Sequence, residues 1–340
     1  MGVQELESIA RSIVADHKGI LAADESTGTI KKRFDSIGVE STEESRRSYR
    51  NLLFTTSGME EYVGGVIQYD ETIRQSADDG TTFPQLLASK GVVPGIKVDT
   101  GAHDLPFHPG EKVTEGLDGL RKRLQDYHEL GARFSKWRAV ITIGDGIPSD
   151  VCIHANAHAL GRYAALSQEA GIVPIVEPEV LMDGDHTIER CYEVTTRTLH
   201  VVFYELWRQG VALEGMLLKP NMVVPGKDCP TQASPEEIAE KTIDCFLRHV
   251  PAKVPGIVFL SGGQSEVEAS ENLNAINKLG GPWALSFSYG RALQASALDA
   301  WRGDAANVGA GQQAYLHRAR MNAVAAAGEW SAELEQAVTA

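Results

Sequence analysis

Three lysines stand at the ends of short apolar runs, where an amine could leave water and act as a nucleophile: Lys97, Lys136 and Lys219. Lys219 is the sharpest of them, because it follows Met216-Leu217-Leu218 and precedes Pro220. A lysine in water is uncharged in roughly one molecule in a few thousand at pH 7. Desolvation and a nearby second cation can bring that fraction to roughly a quarter, enough to attack a carbonyl and form an imine. Lys136 and Arg138 are the cations at hand. In a competing arrangement Lys219 only binds phosphate, and Lys136 or Lys97 is the nucleophile. Strand position alone ranks Lys219 first and leaves the other arrangement open. Imine chemistry also needs a proton shuttle to dehydrate the carbinolamine. Glu177 and Glu179, on the run before Lys219, can supply one. Two close carboxylates separate in pKa, so one can move protons while the other holds a cation. Asp24 closes the first run and could position or deprotonate a substrate hydroxyl.

A second group of residues suits an anion. Phe259-Leu-Ser-Gly-Gly-Gln-Ser265 reads as a strand entering a glycine turn and then a helix, so backbone N–H groups near Ser261 and Gly262 can approach a phosphate. Ser288-Tyr-Gly-Arg291 repeats the design with Gly290 and adds a guanidinium. Either turn alone is weak; the two together make a phosphate site. Ser26, Thr29, Lys32 and Arg33 could hold a second phosphate, although solvated helix-start residues account for them equally well.

The elements that must position these groups follow from the hydrophobic pattern. Apolar, strand-like runs recur at Gly19–Asp24, Val63–Gln68, Val93–Asp99, Phe134–Ile141, Ile172–Val180, Gly215–Pro220, Gly256–Gly262 and Trp283–Tyr289, each followed by an amphipathic stretch. Ser41 with Glu44, Ser234 with Pro235 and Glu237, and Ser265 with Glu268 fit helix starts. Gly131, Gly171, Gly210 and Gly280 fit helix stops. Eight strands alternating with helices predict an α/β fold, a closed parallel (β/α)8 TIM barrel. An open doubly wound sheet is the alternative, but its G-x-G-x-x-G turn after the first strand is absent. In a barrel the strand ends surround the reactive mouth. Side chains two apart share a face, so Lys136/Arg138 and Glu177/Glu179 each point inward as pairs, with Trp137 and Pro178 turned out. Single strand-end charges are as often salt-bridged rim residues. A whole set converging on one end is not explained that way.

Composition limits the partners. The formal charge of −14 disfavours non-specific nucleic-acid binding and anionic membranes, while a few buried cations can still set a local field for a small anion. No apolar run approaches the roughly 20 residues of a membrane span, and the N-terminus lacks a signal-peptide core. Cys152, Cys191, Cys229 and Cys245 form no C-x-x-C pair and read as reduced thiols, Cys152 and Cys191 with no adjacent activating base, so the expected location is cytoplasmic. His154 and His158 sit at i, i+4 but lack the glutamate of H-E-x-x-H; a helix-surface pair fits better than a metal site. Residues 1–302 are assigned to the barrel. Residues 303–340 are assigned to a C-terminal extension, helical around Gln312–Ala326 and then flexible.

These residues lie in long strings: GILAADESTGTIKKR (Gly19–Arg33), GIKVD (Gly95–Asp99), KWR (Lys136–Arg138), GIVPIVEPE (Gly171–Glu179), LLKPNMV (Leu217–Val223), FLSGGQSE (Phe259–Glu266) and FSYGRALQASAL (Phe287–Leu298). In that order, from Ile9 to Trp301, the chain resembles class I fructose-1,6-bisphosphate aldolase. The resemblance implies a Schiff base at Lys219, Glu177 as the main acid–base group, Glu179 and Lys136 tuning the lysine and relaying protons, and Asp24 assisting cleavage between carbons 3 and 4. It implies one phosphate on Ser261, Gly262, Gly290 and Arg291, and the other nearer Ser26, Thr29, Lys97 and Arg138. The reaction implied is reversible, yields dihydroxyacetone phosphate and glyceraldehyde 3-phosphate, and belongs to glycolysis and gluconeogenesis. The resemblance implies a homotetramer that uses neither cofactor nor metal. Two departures stand out. The family often ends in a tail tyrosine that assists proton transfer, whereas the last tyrosine here is Tyr315. The loop Ala102–Gly110, with two histidines and two prolines, is unlike the family's.

Overall fold

A computed structural model of the chain describes residues 2–336 and closes eight parallel strands into a barrel. They are β1 (Gly19–Ala23), β2 (Val63–Gln68), β3 (Val93–Lys97), β4 (Phe134–Ile141), β5 (Val173–Val180), β6 (Leu217–Leu218), β7 (Gly256–Phe259) and β8 (Ala284–Tyr289). Every strand pairs with its neighbours in sequence, and β8 closes on β1. The strand period of two divides the apolar residues into two layers. Leu21, Ala23, Trp137, Val176, Phe259 and Phe287 face outward into the core beneath the helices. Ile20, Ala22, Phe134, Val173, Ile175, Leu217 and Val258 fill the barrel itself. The first helix, Val3–Ile13, closes the floor of that inner core with Leu6, Ala10 and Ile13.

Following each inward column along its strand shows why the chemistry lies at one end. β4 runs Phe134, Lys136, Arg138; β5 runs Val173, Ile175, Glu177, Glu179; β6 places Leu217 two residues before Lys219. Apolar side chains pack the lower barrel, and the charged ones begin where the strands finish. Trp137 is fully buried on the outer face, stacked at 5.6 Å on Tyr163, as the alternation requires. Inward space is tight at the floor: a Cβ on Gly95 would meet the ring of Phe134.

The helix punctuation follows the sequence with one correction. Ser234 and Ser265 cap their helices, Ser265 in a reciprocal box with Glu268. The expected Ser41/Glu44 start falls one residue later, on Thr42 with Ser45. Ser41 is instead taken by Arg46, which donates to its carbonyl and hydroxyl oxygens, while Ser45 reaches back to both the Thr42 N–H and the Glu40 carbonyl. Gly131, Gly171 and Gly210 each take a positive φ just past a helix end. The expected loop over 102–110 is largely an antiparallel hairpin, Gly101–Asp104 against Lys112–Glu115, whose tip exposes Phe107 completely. Beyond the barrel, the helix Val308–Ala326 begins four residues before the expected stretch and packs on the helices Glu266–Leu279 and Arg291–Trp301. Glu335 clasps the end of the chain, accepting from Trp330 Nε1 at 2.8 Å and pairing with buried Arg318. Residues 337–340, expected to be flexible, lie outside the described residues.

Candidate active site

The C-terminal ends of the strands surround a cavity of about 660 Å³, within the size range of small-ligand sites. All of the residues singled out from sequence line it: Asp24, Ser26, Thr29, Lys97, Lys136, Arg138, Glu177, Glu179, Lys219, Ser261, Gly262, Gly290 and Arg291. Seven Lys/Arg and five Asp/Glu side chains share the wall, so a chain of net charge −14 presents an excess of positive charge here.

Lys219 sits one residue past the two-residue strand β6, but its N–H still donates to the Val176 carbonyl at 2.8 Å. The side chain is buried, and its Nζ stands 3.1 Å from Glu177 Oε1. The other oxygen of Glu177 is 3.4 Å from Lys136 Nζ, which in turn meets Asp24 Oδ2 at 2.8 Å. One carboxylate therefore touches two lysines. Burial alone would raise the Asp24 carboxyl, but Lys136, with Lys219 and Lys97 behind it, outweighs that and holds it far below the usual carboxylate range. Burial would likewise discharge Lys136, but Asp24, Glu177 and Asp99 hold its ammonium well above the ordinary lysine value. Lys136 is thus held as a cation on the same carboxylate that contacts Lys219.

Arg138 follows Lys136 by two residues on the same face of β4. It leans over the rim, half-exposed, and pairs with Glu179, so that the second glutamate is occupied as a cation holder. Burial disfavours its charge, but Glu179, then Glu177 and Asp99, push its pKa upward. Asp99 was missed from sequence. It binds Lys97 Nζ at 2.7 Å, accepts the Arg138 N–H at 3.2 Å and lies 3.9 Å from Lys136. Its position two residues after Lys97, on the same face, was the available signal. Glu25 was missed too: buried, it pairs with Arg33 and with Arg50 (2.5 Å) and accepts Gln294 Nε2 at 3.0 Å. Burial opposes its charge, but the two arginines prevail and hold the carboxyl low. Adjacency to Asp24 gave no hint, because Arg50 and Gln294 come from distant helices.

The two anion turns come together as expected. Arg291 Nη2 reaches across from β8 to the Gly262 carbonyl at 2.9 Å. The buried Ser288 hydroxyl lines the same wall and has no hydrogen-bond partner among the described residues. Ser26 caps the helix Thr27–Ser36 with its side chain 3.1 Å from Thr29 Oγ1, which places both hydroxyls at a helix N-terminus on the cavity's other side. His154 and His158 lie on the exposed face of the helix Asp150–Glu169, His158 Nδ1 3.0 Å from Glu205. Burial pushes the Cys152, Cys191 and Cys245 thiols up to about 11, away from thiolate chemistry.

A buried lysine that shares a carboxylate with a second lysine, at the mouth of a (β/α)8 barrel and between two glycine turns that open helices, is the geometry of a lysine-centred barrel enzyme for an anionic substrate. The family Fructose-bisphosphate aldolase class-I matches residues 5–340. The chain is 56% identical over 332 residues to a probable fructose-bisphosphate aldolase class 1 of Xanthomonas campestris pv. campestris, covering 97% of this chain and 99% of the other. It is 53% identical to a fructose-bisphosphate aldolase of Dictyostelium discoideum, covering 97% and 93%. Among solved structures it superposes on the Plasmodium falciparum fructose-bisphosphate aldolase, solved with TRAP and a small-molecule inhibitor, with a TM-score of 0.95, 49% identity and coverage of 97% and 96%. The chain belongs to the class-I fructose-bisphosphate aldolase family.

Proposed function

We propose that this chain reversibly cleaves fructose 1,6-bisphosphate to dihydroxyacetone phosphate and glyceraldehyde 3-phosphate, through an imine on Lys219 and with no metal or cofactor. The observation that carries the reading is the shared carboxylate: Glu177 lies 3.1 Å from Lys219 and 3.4 Å from Lys136. Lys219 attacks the ketone at carbon 2, and the carbinolamine hydroxyl leaves as water with a proton from Glu177. The protonated imine then accepts the electron pair of the carbon 3–carbon 4 bond, as a Lewis acid would. The proton of the carbon 4 hydroxyl passes to the Glu177 carboxylate, steadied by the Lys136 ammonium, and glyceraldehyde 3-phosphate departs. Glu177 returns that proton to carbon 3 of the enamine, and water then hydrolyses the imine to release dihydroxyacetone phosphate and the Lys219 amine.

Asp24 is too strongly held as an anion to be an effective base by itself. Its part is to fix Lys136 and orient a substrate hydroxyl. Glu179 holds Arg138 and so keeps that guanidinium at the rim. One phosphate is assigned to Ser261, Gly262, Gly290 and Arg291, the other to Ser26, Thr29, Lys97 and Arg138. Lys97 and Arg138 are both engaged by carboxylates here, and a doubly charged phosphate would compete for them. Tyr315, offered by sequence as the last tyrosine, is buried within the helical layer and does not line the cavity.

A cytoplasmic homotetramer is the assembly inferred. Among the described residues no helix is long and apolar enough to cross a membrane. Exposed Tyr204, Trp207 and Phe107 leave aromatic surface that subunit contacts would cover. The activity is tested by following cleavage of fructose 1,6-bisphosphate with a coupled assay in the presence of chelator. Full turnover supports the reading; a chelator-abolished rate, or a kcat/KM favouring a different ketose phosphate, contradicts it.

A further inference from the structure

The carboxylate of Glu266 ties together the two helices that follow the turns assigned to the first phosphate, and no step of the chemistry above uses it. Glu266 opens the helix Glu266–Leu279, just past its N-cap Ser265 in the chain that follows the Ser261–Gly262 turn. The helix Arg291–Trp301 opens at the Gly290–Arg291 turn. Glu266 Oε1 accepts the backbone N–H of Ser296 at 3.1 Å, and Oε2 accepts the Ser296 hydroxyl. The Glu266 carbonyl is held in turn by the buried Arg318, whose Nη2 donates to it at 3.0 Å and to Ser270 Oγ at 2.7 Å.

Ser296 lies more than one turn along its helix from Arg291. A tie at that point sets the tilt of the second helix against the start of the first. Anion binding by backbone N–H groups depends on their direction, with tolerances on the order of 10–20°, so the relative tilt of two helix starts decides whether both reach one phosphate. The turns themselves are tied by Arg291 Nη2 to the Gly262 carbonyl. A bound phosphate competes for that guanidinium, whereas Glu266 and Ser296 keep their contact.

We propose that Glu266 is a positioning residue for this phosphate subsite, holding the Gly290–Arg291 turn in register with Ser261 and Gly262 through Ser296. The proposal rests on the assignment of those four residues to a phosphate. Its test is steady-state cleavage of fructose 1,6-bisphosphate, with inorganic phosphate as competing ligand, in the wild type, Glu266→Ala, Glu266→Gln, Ser296→Ala and Arg291→Ala. Glu266→Ala is expected to raise KM and the phosphate inhibition constant together by about tenfold, with kcat changed by less than about twofold. Glu266→Gln keeps an acceptor for the Ser296 N–H and is expected to restore both constants. Ser296→Ala keeps the N–H and is expected to move both by a smaller factor. A Glu266→Ala enzyme with lowered thermal stability but both constants unchanged overturns the proposal, as does one whose kcat falls while KM holds. Arg291→Ala separates the two levels. If it leaves KM and phosphate inhibition untouched, the subsite assignment itself fails; if it raises both while the Glu266 variants are silent, only the role of Glu266 fails.

Discussion

In the proposed mechanism Glu177 carries the proton traffic, since its carboxylate contacts both Lys219 and Lys136. Glu177→Gln keeps the shape and removes the exchangeable proton. Its kcat is expected to fall by about 10²- to 10⁴-fold, with KM for the bisphosphate changed far less; stopped-flow or steady-state cleavage rates decide it, and a near-wild-type kcat would move the shuttle elsewhere. Asp24 makes a different prediction, about stability. Its carboxyl is depressed in the folded state, so its stabilising effect is complete above the ordinary aspartate range, about pH 4. That effect is lost as the pH falls from there toward the folded-state value. Asp24→Asn should therefore melt below the wild type at neutral pH, and the gap should narrow on acidification. Thermal melts from pH 7 to pH 3 check the sign; a gap that widens with acid contradicts it.

The strands show how much of this site could be read from the chain. Alternation along β4 and β5 assigned Lys136, Arg138, Glu177 and Glu179 to the inner face correctly, because an apolar residue two places earlier in each column marks which face is core. The glycine turns after β7 and β8 were legible for a similar reason: their local sequence dictates backbone geometry. Glu25 was not, since Arg50 and Gln294 arrive from other elements, and for Asp99 only the spacing from Lys97 was visible, not its reach to Lys136 and Arg138. Nor was the contrast between Arg138, drawn to the rim by Glu179, and Lys136, held below it by Asp24. Register decides such matters: Lys97 lies beside Lys136 because β3 and β4 pair there, which no single run of sequence states. The same geometry makes the barrel floor sensitive to volume. Gly95→Ala adds an inward methyl against Phe134 and is expected to cost about 1–3 kcal/mol in denaturant unfolding. An unchanged midpoint would show that the floor can relax.

At the scale of the whole molecule, charge is partitioned: acidic overall, yet with more cations than carboxylates around the mouth. The surface also carries exposed aromatics, Trp207 at 74% and Phe107 at 100%, that a monomer would leave in water. Sedimentation should give a mass near four times the 36.8 kDa of one chain; a single-chain mass at micromolar concentration would contradict the tetramer. The central claim, that Lys219 is the amine that condenses with the ketone, has a more direct test. The enzyme is treated with dihydroxyacetone phosphate and borohydride, digested and mapped by mass spectrometry. The account predicts inactivation with one reduced adduct on the peptide bearing Lys219, and no adduct in Lys219→Met. An adduct on Lys136 or Lys97, or full turnover by Lys219→Met, would contradict it.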